Sequence, residues 1–148
     1  MTAGPVARAL EARKVAIFGV SSDQGKLGHM VAAELLTRGY DGEVVLVNPR
    51  GGEVLGHAIS SDPAAAHDAD LAVLWTPGIS AIDVLASCAE QRIPLAVVCG
   101  NGFREVGEHH AEQRLLATAE RLGVRLVGPN TMGIDVPAAG LFLVEVNY

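Results

Sequence analysis

Residues 15 to 36 read VAIFGVSSDQGKLGHMVAAELL: an apolar run, a glycine-bearing loop, then helical spacing. This stretch limits the fold more than any other. A strand without polar alternation is covered on both faces, which occurs where helices flank a parallel sheet. The rest of the chain repeats the pattern. Lys14–Gly19, Glu43–Asn48, Leu71–Trp75, Pro94–Cys99 and Val124–Val127 are expected strands. Leu27–Arg38, Ile79–Gln91 and Glu108–Leu122 have apolar residues at helical intervals. Gly39 and Gly123 are placed to stop two of these helices, and Pro49 ends the second strand. A last apolar run, Leu141–Val146, reads as a sixth edge strand or a tail. The stretch from Arg50 to Asp70 reads as irregular.

Strand–helix alternation with short connections implies an α/β fold. We expect a Rossmann-like, doubly wound, mainly parallel sheet of five or six strands with helices on both faces. The 148 residues suit one domain, with a core over about 13–137. Hydrophobic residues make up 49% and charged residues 19%, so a sizeable core is available; aromatics at 4% disfavour an aromatic-rich sandwich. A net charge of -6 argues against broad binding to nucleic acid or an anionic membrane. No apolar run has the length of a signal peptide core or a transmembrane span, which leads to the expectation of a cytoplasmic protein.

In a doubly wound sheet, ligands bind at the carboxyl ends of the strands. Five loops follow such ends. In GVSSDQGKLG, Gly19 permits a sharp turn, and Gly25 and Gly28 permit close backbone approach. Free N–H groups at the following helix start would face an anion, with Ser21, Ser22 and Gln24 as added donors. The other reading is a plain connection capped by Ser22 or Asp23. No G-K-[ST] follows, so this is not a P-loop. At the end of the second strand stand Asn48, Pro49 and Arg50, where a dinucleotide site usually places an acid for the ribose hydroxyls. A guanidinium there suits a phosphorylated ribose: the 2′-phosphate of NADP or the 3′-phosphate of coenzyme A. A solvated arginine is the alternative. The remaining loops contribute Pro77 in WTPGIS, Gly100 and Asn101 in VVCGNGFRE, and Asn130 in VGPNTMG, this last either contacting ligand or tying loops together.

These loops, as GVSSDQGKLG, VLVNPRGGEVLG, TPGIS, CGNGFREVGEHH and GPNTMGIDVP in that order, carry a resemblance. The chain resembles the N-terminal CoA-binding domain of the NDP-forming acyl-CoA synthetase superfamily, which includes succinyl-CoA synthetase α subunits. The resemblance implies that Ser21, Ser22, Asp23 and Gln24 hold CoA phosphates within the Gly19, Gly25 and Gly28 loop. It implies that Asn48, Pro49 and Arg50 lie near the nucleotide, and that Pro77 flanks adenine or pantetheine. It runs Cys99, Gly100 and Asn101 along the pantetheine arm, and Asn130 belongs to the G-P-N motif. Where the family usually has S-A-G-F, this chain has C-G-N-G-F.

In that family an acyl phosphate forms, a histidine takes the phosphoryl group, and CoA attacks the acyl carbon. Those steps use phosphohistidine and ATP-grasp domains, which the resemblance does not reach. His109 and His110 do not match the catalytic position, and His29 and His57 are assigned no more than a phosphate contact. Cys88 and Cys99 read as reduced buried thiols, and no spacing suggests a metal site or independent catalysis. The expected partners are CoA or acyl-CoA and the remaining synthetase domains or subunits, with a homo-oligomer through an apolar family interface as a further expectation. Two alternatives stay open: a free-standing CoA or acyl-CoA sensor or carrier, and an NADP-binding Rossmann domain.

Overall fold

The computed structural model describes residues 4–145. In chain order the elements are α1 (Pro5–Leu10), β1 (Lys14–Phe18), α2 (Leu27–Thr37), β2 (Glu43–Val47), β3 (Glu53–Val54), β4 (His57–Ser60), β5 (Leu71–Leu74), α3 (Ser80–Glu90), β6 (Leu95–Val98), α4 (His109–Leu122), β7 (Arg125–Val127), β8 (Asp135–Val136) and β9 (Leu141–Phe142). The main sheet has the order β3-β4-β2-β1-β5-β6-β7. Every pairing in it is parallel except β3 with β4.

Alternation along each strand explains the two helical layers. Val15 and Ile17 of β1 join Val31, Ala32 and Leu35 of α2, Ala9 of α1, and Leu141 and Leu143. Ala16 and Phe18 face the other way, with Ala81 and Leu85 of α3 and Leu115 and Ala119 of α4. Both faces of β1 are therefore buried, and the near-continuous apolar run follows from that. Full burial of a side chain such as Ile17 contributes about 1.5–3 kcal/mol.

The sheet has seven strands rather than five or six. The extra two come from the stretch expected to be irregular. Leu55 and Gly56 both adopt positive φ, 49° and 80°, between β3 and β4, as a two-residue hairpin turn requires. Val54 and Ile59 point inward from this hairpin. The Leu141–Val146 run does not extend the main sheet. Leu141–Phe142 pairs antiparallel with β8 in a separate ribbon, and Val146 lies outside the described residues.

The helix α1 has no counterpart in the sequence expectation. It is held by Asp70, whose carboxylate accepts from the Arg8 guanidinium at 2.7 and 3.2 Å and from the N–H groups of Arg13 and Lys14 at 3.0 and 3.2 Å. Burial acts to raise the Asp70 pKa, but these hydrogen bonds outweigh it and hold the carboxyl below its ordinary value. No helix among the described residues is long and apolar enough to cross a membrane.

The chain leaves β1 towards β2 on one side and returns to β5 on the other. The loops after β1 and β5 diverge there, and the sheet opens a crevice at its carboxyl edge.

Candidate functional site

The crevice is a cleft of about 910 Å³. Its floor depends on close backbone approach. A Cβ on Gly19, whose φ is +83°, would meet the Trp75 carbonyl carbon at 2.9 Å, and one on Gly28 would meet the Gly19 carbonyl oxygen at 2.7 Å. These two glycines bring the start of α2 down onto the ends of β1 and β5. The N-cap of α2 is Lys26, and no side chain caps the helix. Among the described residues the N–H groups of Leu27 and Gly28 have no acceptor, at the positive end of the helix.

The loop before that helix is internally braced. Asp23 N–H donates to Ser21 Oγ at 3.1 Å, and the Asp23 carboxylate accepts from Gly25 N–H at 2.9 Å. His29 is 7% exposed and its Nδ1 donates to the Ser21 carbonyl at 2.8 Å. A carbonyl only accepts, so the ring proton sits on Nδ1 and His29 is a brace for the loop.

The loop after β2 is tied to the same structure. Asn48 donates to the Val20 carbonyl at 2.7 Å and accepts from Arg50 N–H at 2.9 Å, so its amide joins two loops. Ser22 Oγ accepts from Glu53 N–H at 3.0 Å, leaving its own proton for an outside acceptor. The guanidinium of Arg50 and the ammonium of Lys26 both line the cleft. Neither is in an ion pair among the described residues.

Loops after β5, β6 and β7 complete the wall. Cys99 and Gly100 N–H groups both donate to the Leu74 carbonyl, at 2.9 and 3.2 Å, and Gly78 N–H donates to the Asn101 carbonyl at 2.6 Å. A Cβ on Gly100 would lie 2.0 Å from the Thr76 carbonyl oxygen, so only glycine fits. Asn130 N–H donates to the Gly100 carbonyl at 3.3 Å. Its backbone ties the loops, while its side chain stays exposed. The indole N–H of Trp75 and the hydroxyl of Thr76 are buried in this wall with no partner among the described residues. Phe103 is fully buried beneath the β6–α4 loop. The Gly102 and Phe103 N–H groups are both taken by Glu105; the bond from Phe103 is the largest influence holding that carboxyl below its ordinary value.

Burial pushes the Cys99 thiol up to about 12, with a smaller contribution from the charge of Glu145, which also lines the cleft. Burial does the same to Cys88. Neither thiol offers a thiolate at neutral pH. No group of three or more His, Cys, Asp or Glu side chains among the described residues is placed to hold a metal ion.

The cleft gathers Gly19, Ser21, Ser22, Gly25 and Gly28 from the first loop and Asn48 and Arg50 from the second. Pro77, Cys99, Gly100, Asn101 and Asn130 join them from the other side. Asp23, Gln24 and Pro49 do not line it; all three are exposed, and the Asp23 carboxylate faces its own loop, where it closes the turn. Neither Ser22 nor Asp23 caps α2. His57, His109 and His110 are exposed away from the cleft. Lys26, Trp75, Thr76, Met132 and Glu145 line it without having been singled out as ligand contacts. Lys26 could have been found, because it stands inside the glycine loop. Glu145 could not, because a long-range fold-back brings it in.

Known proteins share this fold. The model of the CoA binding domain family matches residues 13–137. The chain is 33% identical over 123 residues to an ADP-forming acetate–CoA ligase of Methanocaldococcus jannaschii, a match covering 82% of this chain and 17% of that protein. It is 31% identical over 136 residues to the α subunit of ADP-forming acetate–CoA ligase I of Pyrococcus furiosus, covering 87% of this chain and 29% of that one. Acetyl-coenzyme A synthetase 1 of Ca. Korarchaeum cryptofilum, solved with phosphate and ADP, superposes with a TM-score of 0.86 at 30% identity, over 94% of this chain and 30% of that chain. This chain therefore spans less than a third of each of these relatives. A match to the family model over most of the length, with the fold to go with it, makes the chain a member of the CoA-binding domain family, of the kind found in NDP-forming acyl-CoA synthetases.

Proposed function

We propose that this chain binds coenzyme A in the cleft and serves as the CoA-holding element of an NDP-forming acyl-CoA synthetase. The observation that carries the reading is a pair of cations, Lys26 and Arg50, with no ion-pair partner among the described residues, beside an uncapped helix start, with no acid at the end of β2. The N–H groups of Leu27 and Gly28 and the hydroxyls of Ser21 and Ser22 would receive phosphate oxygens. Arg50 would meet the 3′-phosphate. The wall from Pro77 through Cys99, Gly100 and Asn101 to Asn130 would flank the adenine or pantetheine and the arm towards the thiol. Asn48 and His29 are positioning residues that hold the two phosphate-side loops in register.

Among the described residues no activated nucleophile or acid–base pair faces the cleft. The acyl phosphate and phosphohistidine steps are accordingly assigned to ATP-grasp and phosphohistidine domains, on this protein or on a partner subunit. The residues described here bind and orient the thiol carrier.

Calorimetry with CoA, dephospho-CoA and NADP tests the reading. CoA is expected to bind tightest. Arg50→Ala is expected to weaken CoA on the order of tenfold or more, the worth of a charge-assisted contact, and dephospho-CoA far less. Equal loss for both removes the 3′-phosphate role, and tighter binding of NADP overturns the ligand.

A further inference from the structure

The cleft is electrically lopsided. Its two cations, Lys26 and Arg50, sit on the loops after β1 and β2. Its sole carboxylate among the described lining residues is Glu145, whose charge reaches Cys99 at the end of β6. The fold-back of the C-terminal segment places it there: Leu143 N–H donates to the Ile134 carbonyl at 3.1 Å, and Glu145 N–H to the Met132 carbonyl at 2.9 Å. Glu145 has no ion-pair partner among the described residues. Three strand spacings separate β2 from β6, about 14 Å.

A ligand with phosphates at one end and an uncharged tail at the other has one favourable orientation in such a field. The phosphates face Lys26 and Arg50, and the tail runs towards Glu145. Coenzyme A has this form, so the argument rests on the CoA reading above. We propose that Glu145 is a specificity determinant at the thiol end of the cleft: it admits the free thiol or an uncharged acyl group and disfavours an acyl group ending in a carboxylate. A second carboxylate brought near Glu145 is repelled, and because the Glu145 side chain is exposed the repulsion is strongest at low ionic strength.

The test is calorimetry on the full chain with CoA, acetyl-CoA and succinyl-CoA, at low and at high salt. Wild type is expected to prefer acetyl-CoA over succinyl-CoA about fivefold at low salt, with a smaller preference at high salt. Glu145→Gln is expected to abolish the preference, and Glu145→Lys to reverse it. The side chain is exposed, so both variants should fold. The same preference in all three proteins, or none in wild type, overturns the role of Glu145 and leaves the CoA reading intact. Failure of all three compounds to bind overturns both.

Discussion

The amino edge of the sheet and the cleft at its carboxyl edge treat charge in opposite ways. At the amino edge, Arg8 faces Asp70 at 2.7 Å, Lys14 faces Glu43 at 3.2 Å, and Arg92 faces Asp68 at 2.9 Å. At the carboxyl edge, Arg104 in the loop after β6 pairs with Glu112 at 3.3 Å, but Lys26 and Arg50 face the cleft with no carboxylate partner among the described residues. Charges at the first edge are satisfied by the fold and tie elements together. At the second, the two cations of the cleft are left without such a tie. A cation kept unpaired beside free N–H groups has its use in what arrives from solution.

If that contrast is right, removing charge at each edge breaks a different property. The largest expected effect is on binding. The double variant Lys26→Ala, Arg50→Ala is expected to lose CoA affinity by roughly 100-fold or more, as two charge-assisted contacts are removed. Its stability in urea should stay within about 0.5 kcal/mol of wild type, because both side chains are exposed and unpaired. A large fall in stability would show that the carboxyl-edge cations serve the fold after all.

The amino edge should do the reverse. Asp70→Ala removes a carboxylate that accepts from Arg8 and two backbone N–H groups, and is expected to cost about 2 kcal/mol in urea unfolding; Arg8 is 40% exposed, so solvent screening keeps the loss below the sum of the contacts. CoA affinity should not change. The pH dependence has a definite sign. The Asp70 pKa is lower in the folded protein than its ordinary value of 3.8, so the folded state binds fewer protons than the unfolded chain. Its stabilisation is complete above that value and is lost as pH falls through it towards the lower folded value. Wild type and Asp70→Ala should therefore differ most near neutral pH and converge below about pH 4.

The contrast also separates what the chain's pattern reveals from what it hides. The strands β1, β2, β5, β6 and β7 and the helices α2, α3 and α4 are legible because burial on two faces writes apolar runs and helical spacing into the chain. The β3–β4 hairpin is not, because two- and four-residue strands are too short to show a period; only the Leu55–Gly56 turn marks it. Six-residue α1 has the same difficulty, and its anchor, Asp70, lies 62 residues from Arg8. In the cleft, the glycine loop and Arg50 are readable because strand ends in such a sheet are where ligands sit. Asn48 reads as a ligand contact, yet its amide bonds Val20 and Arg50, a partnership fixed only by tertiary structure. Glu145 is invisible to local pattern because the ribbon of β8 and β9 carries it back over Met132.

Ser22 belongs to both kinds of chemistry, and it gives the smallest and most informative change. Its Oγ accepts from Glu53 N–H, which fastens the glycine loop to the segment carrying Arg50, and its own proton is left for an outside acceptor. Ser22→Ala removes both. Loss of the loop tie is expected to cost about 1 kcal/mol of stability or less, since the Glu53 N–H is exposed enough to find water. CoA affinity should fall about fivefold, the worth of one hydrogen bond, and dephospho-CoA affinity should fall equally, because in the proposed binding mode Ser22 would meet the phosphates that both compounds share. A loss confined to CoA would place Ser22 at the 3′-phosphate with Arg50. A fall in stability with no loss of affinity would make its hydroxyl a brace like Asn48, and would move the boundary between the self-satisfied and the ligand-facing parts of the carboxyl edge inward, to the N–H groups of α2.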